Sequence, residues 1–305
     1  MLKNSPYLLL LLAACFWGGN FVVGKALVAH MPPITLAAIR WSVAFLCLLP
    51  LFGREAWRHR STFMTHYKSI IFLALTGVAG FNTLTYIAVQ YTGSINASLM
   101  NSATPIFVLL LSRFLLSERI VVSAIPGIVV SMLGVAWIIG RGSMDAILGL
   151  RFNQGDLWMV AAIACWALYS VGMKKSAGRF PATPLLLVQT AIALVVLIPL
   201  AAAETAVTNA PIEWSASLVF GLLYVGIFAS IAAFLAWNRA IALIGPQRCA
   251  GFLNFIPLFS AIFAAAFTGE QPHGYHLLGA VLIISGVYAA NRMLRRQAAG
   301  GTNAG

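Results

Sequence analysis

Apolar residues run through this chain in long blocks, separated by short joints of polar residues, glycine and proline. A bilayer crossing takes about 20 mostly apolar residues, with a range of about 17–25. At that window the chain offers ten segments, at roughly 7–29, 34–52, 68–90, 95–116, 121–140, 157–176, 183–202, 215–239, 247–268 and 274–292. The blocks are far too long for the alternating strands of a barrel, and a backbone in lipid is left with helices. Breakers mark the joints: Met31-Pro32-Pro33, Gly140-Arg141-Gly142, Phe180-Pro181 and Gly245-Pro246. The longest polar stretch, residues 141–156, divides the segments five and five. The pattern predicts an all-α membrane protein with ten transmembrane helices. They fall into a first unit at 1–141, a loop at 142–156, a second unit at 157–292 and a tail at 293–305.

Composition agrees. Of 305 residues, 61% are hydrophobic and 9% charged, whereas a soluble domain has about 45–50% apolar and about 25% charged residues. The net charge of +12, from 19 Lys+Arg against 7 Asp+Glu, invites a nucleic-acid reading. The basic residues lie between the apolar blocks instead of along one face, which rejects that partner. With the N-terminus inside, fifteen basic residues fall in cytoplasmic joints and two, Arg141 and Arg151, on the other side. The positive-inside rule then puts both termini in the cytoplasm. Leu12-Ala13-Ala14-Cys15 fits a lipoprotein cleavage box, but the apolar run continues through Phe16-Trp17 to Leu27 and reads as a retained span. Cys15, Cys47, Cys165 and Cys249 form no paired motif and read as buried packing residues, so neither a metal nor a cofactor is expected.

The two halves repeat. An offset of 149 aligns Trp17 with Trp166, Lys25 with Lys174, Pro32 with Pro181 and Leu36 with Leu185. An offset of 152 aligns Pro105 with Pro257, Glu118 with Glu270, Gly127 with Gly279 and Gly134 with Gly286. Because each unit has an odd number of spans, equivalent residues face opposite sides, with Glu118 at the inner surface and Glu270 at the outer. Two inverted five-helix repeats have two packings of nearly equal energy, which is the geometry of alternating access.

The chain resembles the drug/metabolite transporter superfamily, specifically the ten-helix EamA-type proteins. The resemblance rests on Phe16-Trp17-Gly18-Gly19-Asn20-Phe21-Val22 and Ala37-Ala38-Ile39-Arg40-Trp41. It also rests on the stretches from Pro105 to Glu118 and from Pro257 to Glu270, each followed by a glycine-spaced helix. It covers about residues 5–292 and implies an inner-membrane carrier, often an exporter of amino acids or other metabolites, with a small-molecule solute and the lipid bilayer as partners. No subtype motif singles out one substrate.

Several residues could line a solute path. Trp17 and Asn20 are three apart, as are their equivalents Trp166 and Tyr169, so each pair shares a helix face near mid-depth. They either line a cavity or fill helix contacts. Arg40 lies about 9 Å into its span at 1.5 Å per residue. An intramembrane cation costs about 2.5–3.5 kcal/mol on insertion scales. Arg40 therefore either attracts an anionic solute group or caps carbonyls of a neighbouring helix. Lys25 is within snorkelling range. Gln189, the equivalent of Arg40, replaces its charge on the opposite side. Asn82, Tyr86 and Asn238 are further cavity candidates, with Tyr86 and Asn238 equivalent at the offset of 152. Pro105 and Pro257 are expected to bend their helices, with Asn101, Ser102, Thr104 and Asn254 beside the bends. Glu118 and Glu270 read as helix-end anchors or gates.

Gly127, Gly134, Gly279 and Gly286 allow close helix approach, within the chain or in a homodimer. No carboxylate falls in the middle of a span, which argues against a proton-binding carboxylate for cationic drugs. The stretch from Gly19 to Lys25 imitates a phosphate loop, but Ala26 stands where magnesium chemistry needs Ser or Thr, and no strand precedes it. A membrane enzyme lacks a catalytic constellation here, and a structural subunit has no need of the duplication.

Overall fold

The computed structural model describes residues 5–91, 100–118, 120–149, 153–209, 212–268 and 273–300. Every regular element among them is helical. In chain order they are α1 (Pro6–Val28), α2 (Pro33–Arg58), α3 (Arg60–Thr65), α4 (Tyr67–Leu73), α5 (Phe81–Tyr91), α6 (Thr104–Leu115), α7 (Ile125–Ile139) and α8 (Met144–Leu148). After these come α9 (Gln154–Lys175), α10 (Ala182–Thr208), α11 (Ala216–Tyr224), α12 (Ala233–Ile244), α13 (Pro246–Ala250), α14 (Ile256–Thr268) and α15 (Gly274–Gly300). Two π-helical stretches, Ala74–Gly80 and Val225–Ala232, join α4 to α5 and α11 to α12 without a break in the rod.

Seven of the described helices are long and apolar enough to cross a membrane. Leu51, Phe114, Val195 and Phe220 point outward, more than 70% exposed, as side chains facing acyl chains do. The protein is a multi-pass membrane protein. The other three segments expected as continuous spans take a different form. Thr104–Leu115 and Val122–Ile138 are shorter apolar helices, and the segment from Pro246 runs through α13, a 3-10 turn at Gly251–Phe255 and α14. Proline is the physical reason. Pro105, Pro126, Pro246 and Pro257 each stand within the first two residues of a helix. There the missing N–H costs no bond and the ring starts a helix instead of bending one.

Helix pairing is specific. α2 lies along α10 and α7 along α15, while α1 packs against α12 and α14, and α9 against α5 and α6. The glycine face expected to serve close approach is used within the chain, between α7 and α15. A Cβ on Gly286 would stand 2.5 Å from the Ser131 backbone nitrogen and 2.6 Å from the Gly127 carbonyl oxygen. Backbone therefore meets backbone, as small residues allow in lipid.

Gly286→Ala is expected to destabilise the protein by about 1–3 kcal/mol, the usual cost of overpacking. Gly24→Ala, where an added Cβ meets nothing within 4 Å, leaves stability unchanged or slightly raised. Thermal unfolding in detergent, followed by tryptophan fluorescence, compares the two. Equal midpoints would contradict the close approach.

Candidate functional site: a caged arginine beside an aromatic cluster

The buried residues of α2 include Leu36, Ala37, Arg40, Trp41, Ala44 and Leu48, spaced three to four apart. Arg40 thus falls on the face turned to the protein interior. Its side chain is 1% exposed. Nη1 donates to Asn82 Oδ1 and to Tyr86 OH, each at 3.0 Å, and Nη2 donates to the Ala229 carbonyl at 3.2 Å. Nε donates to Ser230 Oγ, whose own proton goes to the Val225 carbonyl at 2.8 Å. The guanidinium lies 5.5 Å from the centre of the Trp41 ring. Its acceptors are two side chains on α5, then a hydroxyl and a carbonyl in the second π-helical stretch. None is a carboxylate. The charge is spread over neutral dipoles, and the backbone carbonyl considered from the sequence is among them.

Trp17 extends this network. Its Nε1 donates to the same Ala229 carbonyl at 3.0 Å. The Trp17 ring meets Trp166 at 5.2 Å, Trp237 at 5.5 Å and Phe234 at 5.9 Å between centroids. Trp166 also meets Phe81 at 4.8 Å and Tyr169 at 5.4 Å, and Trp41 meets Phe234 at 5.1 Å edge-on. Offset and edge-to-face pairs of this kind contribute about 0.5–1.5 kcal/mol each beyond burial. Trp41, Trp166, Trp237, Phe234 and Tyr169 are all at most 2% exposed.

Tyr169 and Asn238 are bonded to each other, with Tyr169 OH 2.9 Å from Oδ1 and 2.7 Å from Nδ2. The Tyr169 ring comes this near because of Gly77 in the first π-helical stretch, where an added Cβ would stand 2.2 Å from that ring. The structure thus gathers Trp17, Arg40, Asn82, Tyr86, Trp166, Tyr169 and Asn238 into one continuous network.

The remaining candidates make no hydrogen bond to it among the described residues. Asn101 accepts from Thr104 Oγ1 at its own carbonyl, at 2.6 Å, a local bond at the start of α6. Asn254 Nδ2 donates to Ser131 Oγ on α7 at 2.8 Å. Asn20 is half-buried, with no partner for Oδ1 among the described residues. Gln189 is fully buried on α10, its Nε2 3.8 Å from Met173 Sδ and its Oε1 without a partner among the described residues. Pro105 and Pro257 open α6 and α14. Glu118 Oε2 accepts from Gln247 Nε2 at 2.7 Å, next to Arg248, which donates to Tyr7 OH. Glu270 and the side chain of Lys25 lie outside the described residues.

At the opposite end of the bundle, Glu204 on α10 receives Ile34 N at 3.1 Å, Thr35 N at 2.7 Å and Thr35 Oγ1 at 2.9 Å. A carboxylate there satisfies orphan N–H groups at the start of α2 and meets the positive end of its dipole.

The EamA-like transporter family profile matches residues 4–140 and again 153–292. The chain belongs to the EamA family. Among EamA relatives, an uncharacterized transporter of Bacillus subtilis (strain 168), YyaM, is 29% identical over 293 residues, spanning 95% of this chain and 94% of its own. A protein of Salmonella typhimurium (strain LT2) named a probable amino-acid metabolite efflux pump is 26% identical over 287 residues, spanning 92% of each chain. One crystal structure matches with a TM-score of 0.76 at 19% identity, over 96% of this chain and 99% of its own, which is a likeness of fold.

Within this EamA chain, sequence reasoning passed over Ser230, Ala229, Phe234, Trp237 and Glu204. Ser230 and Glu204 look like ordinary span and loop polars until the fold brings α2 beside them. Trp237 stands one residue before Asn238, which the repeat did mark. Arg40→Lys keeps the charge and loses the planar fork, and hydrogen bonds to a charged group contribute about 1.5–3 kcal/mol each. The substitution is expected to destabilise by at least about 3 kcal/mol, and Tyr86→Phe by about half of that. Thermal unfolding in detergent checks both. An unchanged midpoint for Arg40→Lys would mean that the cage is not structural.

Proposed function

We propose that this chain is a secondary carrier that moves small organic solutes across the inner membrane by alternating access. In this reading ten transmembrane segments form two five-helix repeats of opposite orientation, with both termini in the cytoplasm. The exchange of helix partners carries the reading. α1, which opens the first half, packs on α12 and α14 of the second; α9, which opens the second half, packs on α5 and α6 of the first. The pairs α2–α10 and α7–α15 map onto themselves under the same exchange. A two-fold relation between the halves accounts for this pattern, and an odd number of spans in each half would put its axis in the membrane plane, making one half the upside-down copy of the other.

The ends of the α2–α10 pair support one conformational state. Glu204 holds the start of α2 on the side away from the N-terminus. Its counterpart at an offset of 149 is Glu55, near the far end of α2, and among the described residues Glu55 makes no equivalent bond to the start of α10. The Glu204 contact supports reading this conformation as closed toward the outside. Rocking one half against the other would break that contact and form its counterpart at Glu55.

For the solute, we favour export of amino acids or related metabolites. Support comes from the Salmonella relative's name and from the buried Nε1 donors of Trp166 and Trp237, which have no acceptor among the described residues.

Reconstituted in proteoliposomes, the protein is expected to give saturable counterflow of at least one amino acid. Purely linear, non-saturable leakage across an amino-acid panel would overturn the exporter reading. In a cysteine-free background, single cysteines at positions 118 and 204 are expected to react with an impermeant maleimide from opposite membrane faces. Reaction from one face would overturn the inverted arrangement.

A further inference from the structure

We propose that Gln189 and Ser170 form the solute's polar contact in the second half of the protein and that they take a protonated amine. This rests on the carrier reading above and names the chemistry its solute must carry. Gln189 and Ser170 are both 0% exposed. Gln189 Oε1 and Ser170 Oγ have no hydrogen-bond partner among the described residues. Leaving a buried polar group unsatisfied costs about 1–3 kcal/mol, and each such group in a native structure needs a reason. A solute that arrives with N–H donors supplies one.

The groups lie together. Trp166, Ser170 and Met173 are spaced four and three residues apart on α9, hence on one helix face. Gln189 reaches that face from α10 through its amide contact with Met173 Sδ at 3.8 Å. A thioether is a weak acceptor on a flexible stem, easily displaced. It holds the amide's place without satisfying it.

The contrast with Arg40 sharpens the assignment. Gln189 aligns with Arg40 at an offset of 149. Arg40 has four protein acceptors around it, whereas the Gln189 carbonyl oxygen has no donor. The first-half position is satisfied by the protein itself, and the second-half position keeps acceptors that the described residues leave unused. A carbonyl oxygen and a hydroxyl without donors suit an ammonium group. The unpartnered Nε1 donors of Trp166 and Trp237 suit a carboxylate. The four-residue rise from Trp166 to Ser170, about 6 Å, is a distance that an α-amino acid bridges with hydrogen bonds at both ends.

The test uses the full-length protein in detergent, with tritiated L-leucine, L-threonine and L-phenylalanine as binding probes. Each is competed by its deaminated acid and by its α-amide. The expected result is binding of at least one amino acid, with the deaminated acid at least tenfold weaker as a competitor. Gln189→Leu and Ser170→Ala are expected to weaken that binding at least tenfold. Gln189→Leu is also expected to melt no lower than the wild type, because an apolar side chain of similar shape removes an unsatisfied group. A structural glutamine would lower the midpoint.

The inference is overturned if the deaminated acid competes as well as the amino acid. It is equally overturned if Gln189→Leu keeps the wild-type affinity, or if Gln189→Leu unfolds at a lower temperature. Each of those results leaves the carrier reading standing. If no amino acid binds, the amino-acid reading falls and takes this inference with it.

Discussion

A guanidinium within a membrane helix must find its solvation inside the protein, and the Arg40 cage is where this chain meets that demand. The acceptors come from α5 and from the second π-helical stretch, so one side chain ties α2 to elements far apart in sequence. Ala229 then links the cage to Trp17 through a shared carbonyl, and Trp17 leads to the stacked rings of α9 and α12. The order of dependence is physical. An unpaired charge in hydrocarbon is the most expensive defect this fold could contain, and the aromatic packing fills the space around its cure.

The π-helical stretches belong to the same logic. Each replaces about two turns of α-helix in the middle of a long rod, and one of them supplies both Ser230 and the Ala229 carbonyl. A wider helical turn leaves carbonyls less completely used by the helix itself, which makes them available to side chains from a neighbour. The other stretch contains Gly77, without which Tyr169 could not lie so near. Local irregularity is thus matched to polar contacts in the second rod and to a close ring approach in the first.

Much of this was legible in the sequence. Block length and hydropathy gave a helical membrane protein, and the offset of 149 brought out Trp17 and Trp166, whose rings do meet. The cost of an intramembrane cation marked Arg40, and the repeat marked Tyr86 and Asn238, which bond to Arg40 and Tyr169. What stayed hidden depends on tertiary structure. No local pattern distinguishes a π-helical turn from an α-helical one in Val225–Ala232. Proline at 105 or 257 reads as a kink or as a helix start depending on the structure before it. Glu204 looked like a loop carboxylate because its partners, Ile34 and Thr35, are distant in sequence. Asn101, Thr104 and Asn254 stand beside prolines in the sequence, and only the fold shows their local bonds and the contact of Asn254 to Ser131.

Distances at the two ends of the α2–α10 pair test the proposed alternating motion most directly. One spin-label pair at Ala29 and Val207 and another at Arg58 and Arg179, all exposed positions, report the end held by Glu204 and the opposite end. Adding a transported solute in lipid nanodiscs should lengthen one distance while shortening the other. Two distances that stay fixed, or that change in the same direction, would contradict two halves that rock against each other.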